Sequence, residues 1–500
     1  MTLKHNIKTG NSSLAAKTGG AFLWRSAGLG AEKLIFLLRL IVVASIVAPE
    51  AFGLVAIGMT AKAIMSRLTD FGLVAALIQQ PSEDKAHLDT AWTISVIRGF
   101  GITAILFVTA PYIAAAFGET DATDIIRALA AATLIESTAS MQIARITREL
   151  QFRRLALVRL SGAIVNALIS IWYAESLGAW ALVWGSITGA GAYTLSTYLA
   201  APYRPAFKWA VSARDRVLEF GRWIFAIGVL GVLAEGLLRW IVTTKLGLAE
   251  LGIYFLAARL AFLPAQLTSD IFGEVAFPVY ARLQNDPRRL VRVFRSMVVS
   301  VTAVLMPAGL IFFALLPEFV DTVLGARWDG STAVMQAIVL ATIIVIVGDA
   351  SVPLLKGIGK PSRIAGLEIV RVSSLLSAAW VLVEPFGLFG LGLAVIASAI
   401  VSQVAVAFVL HRVLGYPLSG LGSSIIAIAS ASLSGALLAG IIVQTIPNIF
   451  GLVLAATAGS LVSFTIGIAI DRIFRLGILA ELLEPFPGLA AIAKRFLGRI

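Results

Sequence analysis

Apolar positions along this chain come in long blocks, with neither strict alternation nor a one-sided helical stripe. Between Gly20 and Ile470 there are fourteen such blocks of about 20 residues or more, divided by short polar breaks. A hydrocarbon core of roughly 30 Å takes about 20 apolar residues to cross as a helix. Backbone amides in lipid must pair within their own segment, so helices are the predicted spanning element. The predicted spans are 20–47, 52–78, 89–116, 124–143, 156–174, 178–200, 218–240, 248–275, 294–316, 330–353, 364–383, 388–410, 422–445 and 450–470.

Composition supports a polytopic membrane protein. The chain is 59% hydrophobic with a mean hydropathy of +0.92, well above a soluble domain. The net charge of +12 does not signal nucleic-acid binding, because the basic residues sit in short loops instead of one domain. There is no cysteine, which excludes disulfides, thiolate metal sites and cysteine nucleophiles. The three histidines, His5, His87 and His411, all fall in the N-terminal tail or in loops, so no histidine metal cluster and no cofactor are expected. The first 19 residues carry Lys4, Lys8 and Lys17 and no apolar run ending in a cleavage site; the first span is expected to act as the insertion signal.

Loop charge sets the expected orientation. Of the 40 Lys and Arg, 26 lie in the tails and one alternate set of loops, two (Lys245, Arg327) in the other set, and the rest within or at the edges of spans. The positive-inside rule puts the basic set and both termini in the cytoplasm. The segment 488–500 places Lys494, Arg495 and Arg499 among Leu489, Ile492, Phe496 and Leu497. It reads either as an amphipathic helix on anionic phospholipid or as a solvated tail.

The halves echo each other. Arg39-Leu40-Ile41-Val42 recurs as Arg239-Trp240-Ile241-Val242, and Glu50-Ala51-Phe52-Gly53 recurs loosely as Ala249-Glu250-Leu251-Gly252. Six spans separate the copies, so both halves share one orientation, a plan that places a substrate site between two bundles. The expected organisation is a cytoplasmic tail 1–19, an N-lobe of spans 1–6 (20–205), a C-lobe of spans 7–12 (206–415), spans 13 and 14 (416–471) and a cytoplasmic tail 472–500.

Charges inside the bilayer cost at least roughly 2.5 kcal/mol each and usually face an interior or a wet cavity. Cations cluster on the first helix pair of each half: Arg25, Lys33, Arg39, Lys62 and Arg67 in one, Arg222, Arg239 and Arg259 in the other. Arg25, Glu32 and Arg39 recur every seven residues and share one face of span 1. Glu235 and Arg239 are four apart, and Arg67 and Asp70 three apart, spacings that allow ion pairs within a helix. Terminal cations such as Arg127, Arg159 and Arg371 are expected to snorkel to the interface. Arg25, Arg39, Lys62, Arg239 and Arg259 are the candidate substrate contacts; Glu32, Asp70, Glu235 and Asp349 are the candidate charge partners or ion-coupling groups. Guanidinium groups in that excess suit a phosphate or pyrophosphate, which they bind bidentately. Gly357-Ile358-Gly359-Lys360-Pro361-Ser362 lacks the spacing of a phosphate loop and reads as a turn, and Gly185-Ser186-Ile187-Thr188-Gly189 reads as a helix-packing face.

Several ordered pieces add a family resemblance: Asp70-Phe71-Gly72-Leu73 with Ala76-Leu77-Ile78-Gln79, Leu150-Gln151-Phe152-Arg153-Arg154, Trp180-Ala181-Leu182-Val183, Phe220-Gly221, Leu251-Gly252-Ile253-Tyr254, Phe277-Pro278-Val279-Tyr280-Ala281-Arg282, Gly325-Ala326-Arg327-Trp328 and Gly359-Lys360-Pro361. In these the chain resembles the polysaccharide-transporter (Wzx-type) flippases of the multidrug/oligosaccharidyl-lipid/polysaccharide (MOP) exporter superfamily. It departs at Leu238, where members commonly carry an acid. The resemblance implies an all-α, two-lobed fold of 12 core helices plus two. It also implies transfer of an undecaprenyl-pyrophosphate-linked oligosaccharide from the inner to the outer leaflet of a bacterial inner membrane, with a polysaccharide polymerase and export machinery as partners. Rival readings are a multidrug exporter of the same superfamily, which would favour carboxylates in its cavity, and a lipid II flippase. A polymerase or ligase enzyme would need a large outside loop that this sequence lacks.

Overall fold

The computed structural model describes residues 24, 27–69, 77, 85–149, 151–208, 222–264, 266, 276–277, 279–415, 421–474 and 477–478, with the side chains of 222–227 outside that set. A described helix stands in each of the fourteen predicted spans. We number them α1 (27–46), α2 (Pro49–Leu68), α3 (Lys85–Ala116), α4 (Ala122–Ser137), α5 (Phe152–Trp172), α6 (Ala179–Ala200), α7 (Arg222–Leu246), α8 (Leu248–Ala261) and α9 (Pro287–Phe319). The tenth, α10, is a pair, Ser331–Ile344 and Ile346–Gly357, bent by 47°. The run Pro361–Leu414 is continuous except at Gly387, whose φ of 59° and ψ of −141° break the helix; α11 precedes it and α12 follows. Last come α13 (Leu421–Thr445) and α14 (Ile449–Phe474). By length and composition alone, seven described helices suffice to cross a membrane, or eight with the bent pair.

Local sequence explains the helix ends. Pro49 and Pro287 open α2 and α9 at the first turn, where the missing N–H is harmless. Asp286 caps α9 by accepting from the Arg289 amide at 3.1 Å. Gly359, at φ +71°, makes the expected turn ahead of Pro361. Large apolar side chains such as Leu168, Phe408, Ile426 and Leu461 lie exposed along the helices, as contact with lipid requires. Trp172 and Tyr173 sit exposed where α5 ends, in the manner of an interfacial aromatic belt.

The chain divides into two compact units, Met1–Gly252 and Ile253–Ile500. The sequence places its lobe boundary at 205/206. The observed first unit also takes in α7, because Gly236 lets α7 lie directly on Thr60 and Ile64 of α2. Within this unit α5 packs on α6 through the expected glycine face. A Cβ on Gly185 would stand 2.0 Å from Ser170 Oγ, and one on Gly189 2.9 Å from the Gly162 carbonyl. The beginnings of α2 and α8 meet reciprocally. A Cβ on Gly53 would fall 2.4 Å from the Leu248 carbonyl, and one on Gly252 1.8 Å from the Pro49 carbonyl. These are the segments of the second sequence echo, and exchanging the copies exchanges the two contacts, as a local twofold axis does.

A strap after α6 is tied to α3. The fully buried Asp89 accepts from the Tyr203 hydroxyl at 2.5 Å and the Ala206 amide at 3.2 Å, while Lys208 Nζ stands 4.0 Å away. Burial, and then the hydrogen bond to Asp89, pushes the Tyr203 phenol above its ordinary range, so it stays a donor. In the second unit, Tyr280, Phe294, Val298 and Leu354 form a core with Leu410 and Ile428, and α13 and α14 pack through Gly435 and Gly459.

Candidate functional site: buried cations with resident partners

α2 is the organising element of the first unit. Its residues 58 and 62 are one turn apart, as are 60 and 64, and the two pairs look to different neighbours. Gly58 admits Leu129 and Ile125 of α4, and one turn on Lys62 Nζ meets Glu136 Oε1 of α4 at 3.0 Å. Thr60 and Ile64 take α7. There Arg239 donates to Thr60 Oγ1 at 2.5 Å and to Glu235 on its own helix. Glu235 stands N-terminal to Arg239 by four residues, the better orientation for an ion pair along a helix. In both pairs the cation is the deeper member. The Arg239 and Lys62 side chains are 6% and 22% exposed, against 50% for Glu235 and 44% for Glu136.

α1 and α5 carry a second ladder. Arg39 Nη1 donates to Asn166 Oδ1 at 2.5 Å, and Arg159 Nη1 lies 3.7 Å from Glu32 Oε2. Both contacts join residues 127 positions apart, so the two helices run parallel in one register over two turns. Gly28 lets them close, since a Cβ there would lie 2.6 Å from Ala156 Cβ. Arg39 is buried, rests over the Phe36 ring at 5.1 Å, and shares Asn166 with Ser170 Oγ. Tyr193 of α6, partly buried, lies within electrostatic range of Arg159, Glu136 and Glu32, which links the ladder to the α2–α4 pair.

In the second unit, Arg259 of α8 lies over the Phe255 ring at 5.2 Å. Asp349 sits exposed in the second half of α10; next to it a Cβ on Gly348 would stand 2.8 Å from Gln403 Oε1 of α12. Arg371 pairs with Glu368 one turn back, and Ser398 of α12 donates to the Arg371 carbonyl at 2.9 Å.

Arg39, Lys62 and Arg239 thus share the first unit with Glu32 and Glu235. Arg259 and Asp349 belong to the second, and Arg25 and Asp70 lie outside the described residues. Arg127 keeps to a helix end, paired with Asp124 at 3.3 Å. Arg159 and Arg371, expected only to snorkel, instead have carboxylates beside them. Asn166, Thr60 and Glu136 are not among the candidates that the sequence singles out. Asn166 did carry a signal, being an amide in the middle of an apolar block.

Residues 42–333 match the family described as "Polysaccharide biosynthesis protein". The chain belongs to that family. The matched stretch holds Lys62, Glu136, Asn166, Glu235, Arg239 and Arg259. The lipopolysaccharide biosynthesis protein WzxC of Escherichia coli (strain K12) is 24% identical over 67% of this chain and 69% of its own. The succinoglycan biosynthesis transport protein ExoT of Rhizobium meliloti (strain 1021) is 23% identical over 67% of this chain and 68% of its own. Among solved structures, the lipid II flippase MurJ in an inward closed conformation superposes with a TM-score of 0.73 at 14% identity, covering 91% of this chain and 99% of that one. An inward-facing MATE-family transporter of the MOP superfamily gives 0.61 at 16% identity, over 78% and 96%. The fold is therefore that of these all-helical, multi-pass transporters, with about fourteen helices, as the sequence led us to expect. By family the chain is a polysaccharide biosynthesis protein, and its fold is the one shared by these multi-pass transporters.

Proposed function

We propose that this transporter moves an undecaprenyl-pyrophosphate-linked oligosaccharide from the inner to the outer leaflet of a bacterial inner membrane by alternating access, with both termini in the cytoplasm. The observation that carries the reading is the set of cations at membrane depth. Arg39 and Arg239 are buried in apolar helices, where a positive charge persists only beside water, a partner or an anion. A pyrophosphate supplies the anion, and a guanidinium matches its oxygens two at a time. Arg25, Arg39, Lys62, Arg239 and Arg259 are the proposed contacts to phosphate or acidic sugar. The names of WzxC and ExoT, from lipopolysaccharide and succinoglycan biosynthesis, support a glycan cargo.

Deleting the gene and analysing lipid-linked glycans tests this. We expect one undecaprenyl-pyrophosphate oligosaccharide to accumulate on the cytoplasmic face and to clear on complementation. Accumulation of lipid II instead would favour a lipid II flippase, as MurJ is. Unchanged lipid-linked pools together with raised drug sensitivity would favour a multidrug exporter.

A further inference from the structure

We propose that Glu136 and Glu235 are resident counter-ions that occupy the places of the cargo's phosphate oxygens on Lys62 and Arg239 in the empty transporter and are displaced when cargo binds. This rests on the reading above that Lys62 and Arg239 contact an anionic group. The geometry gives each pair the same order: cation inward, carboxylate outward. A carboxylate that is half exposed on a membrane helix is strongly disfavoured against hydrocarbon, so the open side of each pair faces water. An anion arriving from that side meets the carboxylate before the cation.

The donors are the ones a phosphate needs. Arg239 has Nη1 on Thr60 and Nη2 on Glu235. Thr60 Oγ1 has its own outlet, donating to the Ala56 carbonyl at 2.6 Å, so it stays in place when Glu235 leaves. Lys62 offers three N–H donors, of which Glu136 takes one at 3.0 Å. The acids lie on different helices, Glu136 on α4 and Glu235 on α7, and both helices pack against α2. Each cation, Lys62 on α2 and Arg239 on α7, therefore carries one resident carboxylate.

Exchange of this kind has a physical advantage. A transporter must return empty after release, and bare cations at membrane depth would make that step unfavourable. Resident acids neutralise the cations in the empty half of the cycle, as the cargo does in the loaded half. They also set selectivity, because only a ligand that binds the cations better than a tethered carboxylate displaces it, which favours bidentate phosphates over monoanionic carboxylic acids.

Farnesyl pyrophosphate binding to the purified full-length protein in lipid nanodiscs, with farnesol as the uncharged control, tests the inference. We expect Glu136→Gln and Glu235→Gln each to bind farnesyl pyrophosphate about tenfold more tightly, equivalent to about 1.4 kcal/mol. Farnesol binding should not change. The gain should vanish when Lys62→Gln or Arg239→Ala is added to the respective variant, as a double-mutant cycle measures. If the cation variants bind weakly while both Gln variants bind no better than wild type, the acids only hold helices together and the inference is overturned. If Lys62→Gln and Arg239→Ala bind like wild type, it is the cation-site reading that fails. Should a Gln variant not fold, Glu136→Asp and Glu235→Asp carry the same test, with a gain of a few-fold expected and unchanged affinity contradicting it.

Discussion

Arg239 shows what one residue contributes and how it can be tested. Its neighbours divide into a buried hydroxyl, Thr60, and a half-exposed acid, Glu235. Were the pair only structural, exchanging its charges (Glu235→Arg with Arg239→Glu) would preserve polysaccharide export. We expect the exchange to abolish it, because the guanidinium would then sit a helical turn from Thr60. Arg239→Lys should restore export in part, since an ammonium cannot make the planar two-bond contact. The charges of this site are legible in the sequence, because a cation in an apolar block stands out. Their partners are not. Glu235 is readable from its spacing, but Glu136 lies 74 positions from Lys62, and Asn166 lies 127 from Arg39. Only the approach of α4 to α2, and of α5 to α1, brings them together. Asp89 is a further case, an acid at the start of α3 that gains its role from the strap at Tyr203–Ala206. Asp89→Ala leaves buried donors unmatched and should lower stability by about 2 kcal/mol, read as a lower melting temperature in detergent.

Element boundaries follow from glycine and proline more than from hydropathy. Apolar blocks located all fourteen helices, yet they could not tell that α10 bends or that α11 and α12 run on except at Gly387. Those features depend on single backbone positions and on what packs against them. The glycine face of α6 was readable because small residues four apart must let a neighbour approach. A contrast within this helix tests that. Gly185→Val would drive into Ser170 and the Asn166 carbonyl, whereas Gly191 has nothing within 4 Å of a Cβ. We expect Gly185→Val to reduce accumulation or thermal stability sharply and to disturb Asn166 beneath Arg39, and Gly191→Val to behave as wild type by both measures.

Across the whole molecule, the asymmetry of basic loops argues for cytoplasmic termini and a cytoplasmic loop around Asn285, which is exposed. The absence of native cysteine makes the check direct. A cysteine placed at Asn285 should resist a membrane-impermeant maleimide in intact cells and react in inverted vesicles; labelling from the periplasm would reverse the orientation. At this scale the first compact unit runs past residue 205 because α7 holds to α2 through Gly236 and Arg239, contacts that hydropathy does not encode. The central claim is that buried arginines carry the anionic end of a lipid-linked glycan across the membrane. Its most direct test is the amount of lipid-linked oligosaccharide on the cytoplasmic leaflet of cells lacking the gene and complemented with wild type, Arg39→Ala or Arg239→Ala at equal protein level. Clearance by wild type and persistent accumulation with both variants is the predicted result; clearance by both variants at the wild-type rate would contradict it.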